Sequence, residues 1–350
     1  MMKKIGISAP FDFKGMYHGG QCVKAREVYS AFCDKYEKEN VEILETYHDK
    51  NYIKLLFKSF LMIKNCERVA MLPAHNGVKI FAPLYAFLNK IFKRKLYYFV
   101  VGGWLPEYIE ENKFLKKPLK KFDAIFVETN IMKEKLENQG FENVFYFPNF
   151  RQMEILKEDE LVYSNSEPFK LCTFSRIIKE KGIEDAIKSV TETNEKIGKD
   201  AFNLDIYGVV DDDYKEEFEN ILKNSPSYIE YKGCVKPENA TCVLKDYFAL
   251  LFPTYYNGEG LAGTLIDAFA SGVPVIATNW RYNSEIVKDG FTGIVYNYED
   301  KKLLNKALYD AYLNVDKFNL MKFNCIMEAE KYTKQTALKI LEKYLWLRRG

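Results

Sequence analysis

Along this chain, short runs of apolar and aromatic residues alternate with longer segments in which apolar residues recur every three or four positions. The first short runs are KIGISA (4–9), VEILET (41–46), RVAMLP (68–73), LYYFVV (96–101), AIFVET (124–129) and VFYFP (144–148). They have the length and side-chain branching of strands buried on both faces. A second set follows: KLCTFS (170–175), NLDIYG (203–208), YIEYKG (228–233), FALLFPT (248–254), PVIATN (274–279) and TGIVY (292–296). Between the runs the period is helical. In the first such segment Cys22, Ala25, Tyr29, Phe32 and Tyr36 form one apolar stripe. Parallel strands need crossover connections, so this alternation predicts parallel sheets covered by helices on both faces.

The two sets are separated by FPNFRQMEILKEDELVYSNSEPF, which is polar and lacks either period. The pattern therefore predicts an α/β protein of two doubly wound Rossmann-like domains facing a cleft, residues 1–155 and 156–330. With 350 residues the chain exceeds one ordinary core, which agrees with two domains. Residues 331–350 are helical in pattern. They carry Leu341, Tyr344, Leu345 and Trp346, an apolar face that a return onto the first domain would cover.

Composition removes several classes. No apolar stretch approaches the roughly 20 residues that span a bilayer, and the start carries no apolar run of signal-peptide length, so a cytoplasmic protein is expected. Seven scattered cysteines without a Cys-x-x-Cys pair indicate buried reduced thiols, with neither a disulfide framework nor a zinc site. The net charge of +2 is unevenly placed: residues 1–150 hold 24 Lys and Arg against 17 Asp and Glu. KIFKRK and FLKKPLKKF pair bases with aromatics. A solvated surface and a patch for an anionic membrane both fit this pattern. Nucleic acid is not expected as a partner, because no nucleic-acid motif accompanies the charge.

Chemistry is sought where strands run out into helix starts. FALLFPT leads into YYNGEGLAGTLIDAFASG, where Gly258, Gly260 and Gly263 allow close backbone approach. Amides from about Leu261 to Thr264, at the positive end of a helix, suit a phosphate. After KLCTFS, Arg176 offers a planar fork and Lys181 a mobile point charge, so the two loops together suit a diphosphate. After the first strand, Gly19 and Gly20 precede a helix, either as a glycine turn or as a loop reaching toward the same diphosphate. The run Asp211 to Asp213 suits a helix start better than a metal.

In order and spacing these segments resemble the retaining glycosyltransferases of family 4, with the GT-B fold. The likeness rests on Gly19-Gly20, on SRIIKEKG, on the acidic pair Glu259 and Asp267, and on PVIATNWRYNSEIVKDGFTGIVY. The wording GEGLAGTLIDAFASG looks more like the capsular and exopolysaccharide branch than like sucrose or glycogen enzymes. The resemblance implies that Arg176 and Lys181 bind the diphosphate of a nucleotide-sugar donor, UDP-linked, with amides of Gly20, Gly260, Leu261 and Ala262. It further implies that Glu259 contacts the donor sugar, that Asp267 stands at the ribose where the family has a glutamate, and that the base rests near Val235. The acceptor, a glycan or polyprenyl-linked saccharide, falls to Gly102, Gly103, Trp104 and Glu107, with His75 or His18 beside it. A histidine that the family often carries after the fourth strand is absent from VVGGWLPEY. No cofactor and no metal are implied. A sugar-nucleotide epimerase on the same scaffold, or an inactive transferase-like partner subunit, are the alternatives.

Overall fold

A computed structural model describes residues 2–13, 19–47 and 51–346. The chain divides into two compact units: Met1–Gln152 with Gly260–Ala262 and Lys334–Gly350, and Met153–Glu259 with Gly263–Thr333.

In the first unit, strands β1 (Lys3–Ala9), β2 (Val41–Glu45), β3 (Cys66–Met71), β4 (Lys95–Phe99), β5 (Ala124–Val127) and β6 (Val144–Tyr146) form one sheet in the order β2-β1-β3-β4-β5-β6. Every neighbouring pair is parallel. Helices α1 (Gly20–Tyr36), α2 (Tyr52–Asn65), α3 (His75–Phe92), α4 (Leu105–Glu111), α5 (Lys116–Leu119) and α6 (Asn130–Asn138) connect the strands. In the second unit, β7 (Phe169–Phe174), β8 (Phe202–Tyr207), β9 (Ile229–Gly233), β10 (Ala249–Phe252), β11 (Val275–Thr278) and β12 (Gly293–Tyr296) run β12-β11-β10-β7-β8-β9, again all parallel. Its helices are α7 (Ile183–Ile197), α8 (Lys215–Lys223), α9 (Ala240–Leu244), α10 (Gly263–Ala270), α11 (Asn283–Ile286), α12 (Lys302–Leu313) and α13 (Val315–Ala329).

Each sheet buries its apolar runs against helices on both sides. Ile5, Ile7, Phe99 and Phe126 meet Ala25, Val28 and Phe32 of α1. The C-terminal helix α14 (Lys334–Leu341) adds Ala337, Leu341 and, just beyond its end, Leu345 to this core. Leu171, Leu204, Ile206 and Leu251 meet Ala186 and Val190 of α7 and Leu308 of α12 in the second unit. In each sheet the strand order reverses once, between β1 and β3 and between β7 and β10. Loops at such a reversal part to opposite faces and leave space for a ligand at the carboxyl ends of the strands.

Among the described residues no helix is long and apolar enough to cross a membrane. The cysteines are all free, but the expectation that they are buried fails at Cys234 and Cys242, which are exposed. In α9 the buried positions are Ala240 and Leu244, so Cys242, between them in the helical turn, stands outward.

Candidate functional site

The reversal between β7 and β10 brings together the two loops singled out by sequence. After β7 the chain passes Arg176 and closes a short 3-10 turn, Lys179–Lys181, that ends at Gly182. Gly182 has φ +70°, and a Cβ there would stand 2.3 Å from the Pro253 carbonyl oxygen. Only glycine allows the two loops to approach so closely. The contact is fastened by the Glu180 carbonyl, which accepts from the Tyr255 amide at 2.8 Å.

This seam sets the Lys181 ammonium 2.6 Å from Glu259 Oε2, with both side chains about nine-tenths buried. Thr254, itself fully buried, donates its hydroxyl to the same carboxylate oxygen at 2.9 Å. The Glu259 amide closes a turn onto the Tyr256 carbonyl, which also accepts from the Trp280 indole at 2.8 Å. The Tyr256 ring lies between the cations, 5.2 Å from Lys181 Nζ and 5.9 Å from the Arg176 guanidinium carbon. Arg176 itself is more open, 3.9 Å from Asp211. At that distance and exposure the Asp211 partner holds it weakly, so the guanidinium can turn to a stronger anion. The Asp211 side chain also accepts from the Asp213 amide, as expected of a helix-start cap.

Helix α10 starts at Gly263, two residues later than the sequence suggested. Its second residue, Thr264, holds a buried hydroxyl that has no hydrogen-bond partner among the described residues. Asp267 stands one turn further along, half-buried. Val235 is half-buried in the loop after β9, two strand positions from β7.

The expectation of open amides from Leu261 onward is corrected by the first unit, to which Gly260–Ala262 belong. There the buried carboxylate of Glu128, just past β5, accepts from the Leu261 amide and the Gly102 amide, each at 3.2 Å. The Asn149 side chain donates to the Leu261 carbonyl at 3.1 Å. A Cβ on Gly260 would meet Glu128 Oε2 at 2.4 Å. Leu261 is therefore engaged on both sides of its peptide. Near this carboxylate lies Lys24 of α1, fully buried, donating to the Pro148 carbonyl at 2.9 Å and facing the rings of Phe147 and Phe150. Burial pushes its ammonium down to about 7, against the pull of Glu128.

The reversal between β1 and β3 holds the remaining candidates. Gly19 caps α1 in an extended conformation, and around Gly20 no atom of the described residues stands within 4 Å of where a Cβ would be. Gln21 ties this helix start to the end of β3 through the Leu72 carbonyl at 3.0 Å. His75 opens α3, and its ring stacks on Trp104 with centroids 4.0 Å apart. Tyr108 closes the group, edge-on to both rings, with its hydroxyl on the His75 carbonyl at 2.8 Å. His75 is exposed overall, yet the ring face against Trp104 is covered, and that partial burial pushes the imidazole below its ordinary value. Trp104 and Gly103 are buried, and the Trp104 indole donates to Val101 at 2.8 Å. Glu107 pairs with Lys135 at the surface instead of joining this group. His18 lies outside the described residues.

Sequence reasoning missed Glu128, Thr254, Thr264 and Tyr108. Glu128 and Thr254 lie in the tails of the runs AIFVET and FALLFPT, and the signal for them is their position one or two residues past a ladder. Tyr108 had the signal of helical spacing from Trp104, one turn away.

Two parallel, doubly wound six-stranded sheets, each followed through its reversal point by glycine-bearing loops, define the GT-B class of fold. Residues 157–322 match the family model described as glycosyl transferases group 1. Over 178 residues, 49% of this chain and 34% of the other, the sequence is 30% identical to the GtfA subunit of a UDP-N-acetylglucosamine–peptide N-acetylglucosaminyltransferase from Streptococcus pneumoniae. The sucrose-phosphate synthase of Thermosynechococcus elongatus superposes with TM-score 0.77 at 14% identity, covering 99% of each chain. HepE of Anabaena, solved in complex with UDP, gives TM-score 0.74 at 12% identity, covering 99% of this chain and all of the other. The chain spans about half or less of the length of the curated relatives it matches.

Proposed function

We propose that the protein is a retaining glycosyltransferase that moves a sugar from a UDP-linked donor to a hydroxyl of a glycan or polyprenyl-linked saccharide in surface polysaccharide synthesis. It would work without a metal or cofactor, in the cytoplasm at the inner face of the plasma membrane. The observation that carries this reading is the buried Lys181–Glu259 pair at the β7–β10 reversal, beside Arg176 and the first turn of α10.

In the reaction, the bond from the anomeric carbon to the donor diphosphate breaks as the bond to the acceptor oxygen forms on the same face. Negative charge grows on the leaving diphosphate. Lys181, Arg176 and the amino end of α10 stabilise that charge, and the Thr264 hydroxyl is a further donor. The departing phosphate oxygen takes the acceptor proton, so no protein base is required. Lys181 and Thr254 hold Glu259 against the donor sugar hydroxyls. Asp267 serves the ribose and Val235 the base. His75, Trp104 and Gly103 serve the acceptor, and Tyr108 joins them. Gly260 and Ala262 amides remain part of the donor reading; the Leu261 amide is withdrawn from it because Glu128 accepts from it.

A panel of nucleoside diphosphate sugars tests this. UDP-sugars should raise the unfolding temperature, and a saccharide acceptor should release UDP. Arg176→Ala and Lys181→Ala should each weaken UDP binding about tenfold or more; unchanged binding in both would discard the donor site. Interconversion of the UDP-sugar without acceptor would indicate an epimerase, and binding without turnover an inactive partner subunit.

A further inference from the structure

Helix α2 is built the wrong way round for a helix that only covers a sheet. Its buried positions are Leu55, Ser59, Met62 and Ile63, a stripe that includes a serine. Its outward positions include Ile53, 81% exposed, and Phe57, 61% exposed, one turn apart, with Tyr52 and Leu56 beside them. A surface helix ordinarily turns its polar residues outward.

The neighbouring helix repeats the anomaly. In α3, Ile80, Phe87 (61% exposed) and Ile91 (69% exposed) follow a helical spacing on the open side. The two helices pack on each other, with the Phe60 and Phe92 rings edge to face at 5.6 Å and the Tyr85 hydroxyl on the Met62 sulfur at 3.9 Å. The short turn before α5 packs on α3 and adds Phe114, also exposed.

Charge distinguishes the occupant. Residues 51–100 hold nine Lys and Arg and one acid, Glu67, and residues 113–121 hold five Lys and no acid. Lys54, Lys58 and Lys64 on α2, Lys90 on α3, and Lys113 and Lys117 near Phe114 are all exposed. Protein interfaces are depleted in lysine, whereas exposed aromatics and aliphatics interleaved with lysine suit the boundary between headgroups and acyl chains. Lysine stems lie along apolar surface while their ammonium groups reach phosphate.

We propose that this face of the first unit, formed by α2, α3 and the turn at Phe114, docks on an anionic lipid bilayer. The inference deepens the reading of a transferase with a membrane-borne acceptor. It names the surface through which the protein would lie on the membrane: apolar side chains enter the interface, and lysines bind anionic headgroups.

The test uses the full chain and vesicles of phosphatidylcholine alone or mixed with phosphatidylglycerol. Sedimentation with the mixed vesicles is expected at low salt, falling as salt rises, with neutral vesicles binding far less. Ile53→Ser combined with Phe57→Ser should weaken binding about tenfold or more, and Lys54→Gln and Lys58→Gln about fivefold each. Leu313→Ser with Leu320→Ser, equally exposed positions of the second unit, should leave it unchanged. Equal binding to neutral vesicles, salt-independent binding, no binding, or unaltered binding by the Ile53/Phe57 variant would each overturn the proposal. So would an oligomer in lipid-free solution that this variant disrupts while vesicle binding is absent, which would assign the face to a second copy. UDP binding in lipid-free solution should survive the docking substitutions and weaken about tenfold or more in Lys181→Ala, which should still bind vesicles. Failure of the docking face is therefore distinguishable from failure of the donor site.

Discussion

At Lys181 the chain sets a cation against a carboxylate with little water on either side. Removing one member of such a pair leaves the other charge desolvated and unopposed. Lys181→Met should therefore lower stability by about 3 kcal/mol, because the Thr254 hydroxyl alone remains on Glu259. Adding Glu259→Gln should recover a good part of that loss, since the stranded charge is then gone. Urea unfolding of the two single variants and the double variant measures the coupling; simple additivity would mean that the ion pair contributes nothing. Lys24 gives a pH effect of definite sign. Burial pushes its ammonium from the ordinary 10.5 down to about 7, so between these values the unfolded chain holds the proton and the folded chain does not. Stability from this group therefore rises with pH across that window, and the penalty is complete below it. The expected slope is about 1 kcal/mol per pH unit. Lys24→Met should flatten the profile by that amount, and an unchanged slope would contradict the assignment.

The elements carry these residues to one place through backbone that tolerates no side chain. Gly182 and Gly198 bound the same helix, α7, and both have a left-handed φ, +70° and +84°. A Cβ on Gly198 would meet no atom of the described residues within 4 Å, whereas on Gly182 it would strike the Pro253 carbonyl. Gly198→Ala should then cost only the conformational strain, about 1 kcal/mol. Gly182→Ala should cost at least about 2 kcal/mol more and weaken UDP binding, because Lys181 moves with the displaced turn. Equal losses in urea unfolding would show that the seam between the loops is soft. Much of this architecture was legible beforehand. All twelve strands among the described residues fall where apolar or aromatic runs placed them; inner strands such as β5, β10 and β11 are continuously apolar because both faces are buried, while the edge strand β9 exposes Glu230, Tyr231 and Lys232. Several runs extend one or two residues past the ladder, as AIFVET does into Glu128 and FALLFPT into Thr254. Those overhanging residues belong to the loops that carry the polar contacts. Pairings across long separations leave no period in a sequence. Hence the Lys181–Glu259 ion pair, the stack of His75 on Trp104 and the capture of the Leu261 amide by Glu128 came only from the fold.

At the scale of the whole molecule, the first unit is not a continuous stretch of chain. It takes Met1–Gln152, three residues from the glycine-rich segment, and the end from Lys334 onward. The last of these is part of its core. Ala337, Leu341 and Leu345 are almost completely buried among strand and α1 side chains, and the Tyr344 ring meets Phe145 at 4.5 Å. Lys334 adds polar anchors on α1, reaching the Ser30 hydroxyl at 2.8 Å and the Asp34 carboxylate. The core of the first sheet is therefore closed only when residues 334–345 are in place. Two buried leucines and an alanine, with part of a tyrosine, correspond to about 5 kcal/mol of burial. A chain ending at Thr333 should lose about that much stability, enough to bring a unit of ordinary stability close to unfolding. Hydrogen exchange should place the loss in β1, β4, β5 and α1, whose side chains line the vacated face, with β7 to β12 retaining most of their protection. The milder Leu341→Ala should move in the same direction by about 3 kcal/mol. If the truncated chain kept the full protection of β1 and β5, the C-terminal helix would be an attachment to the first unit and not a member of its core.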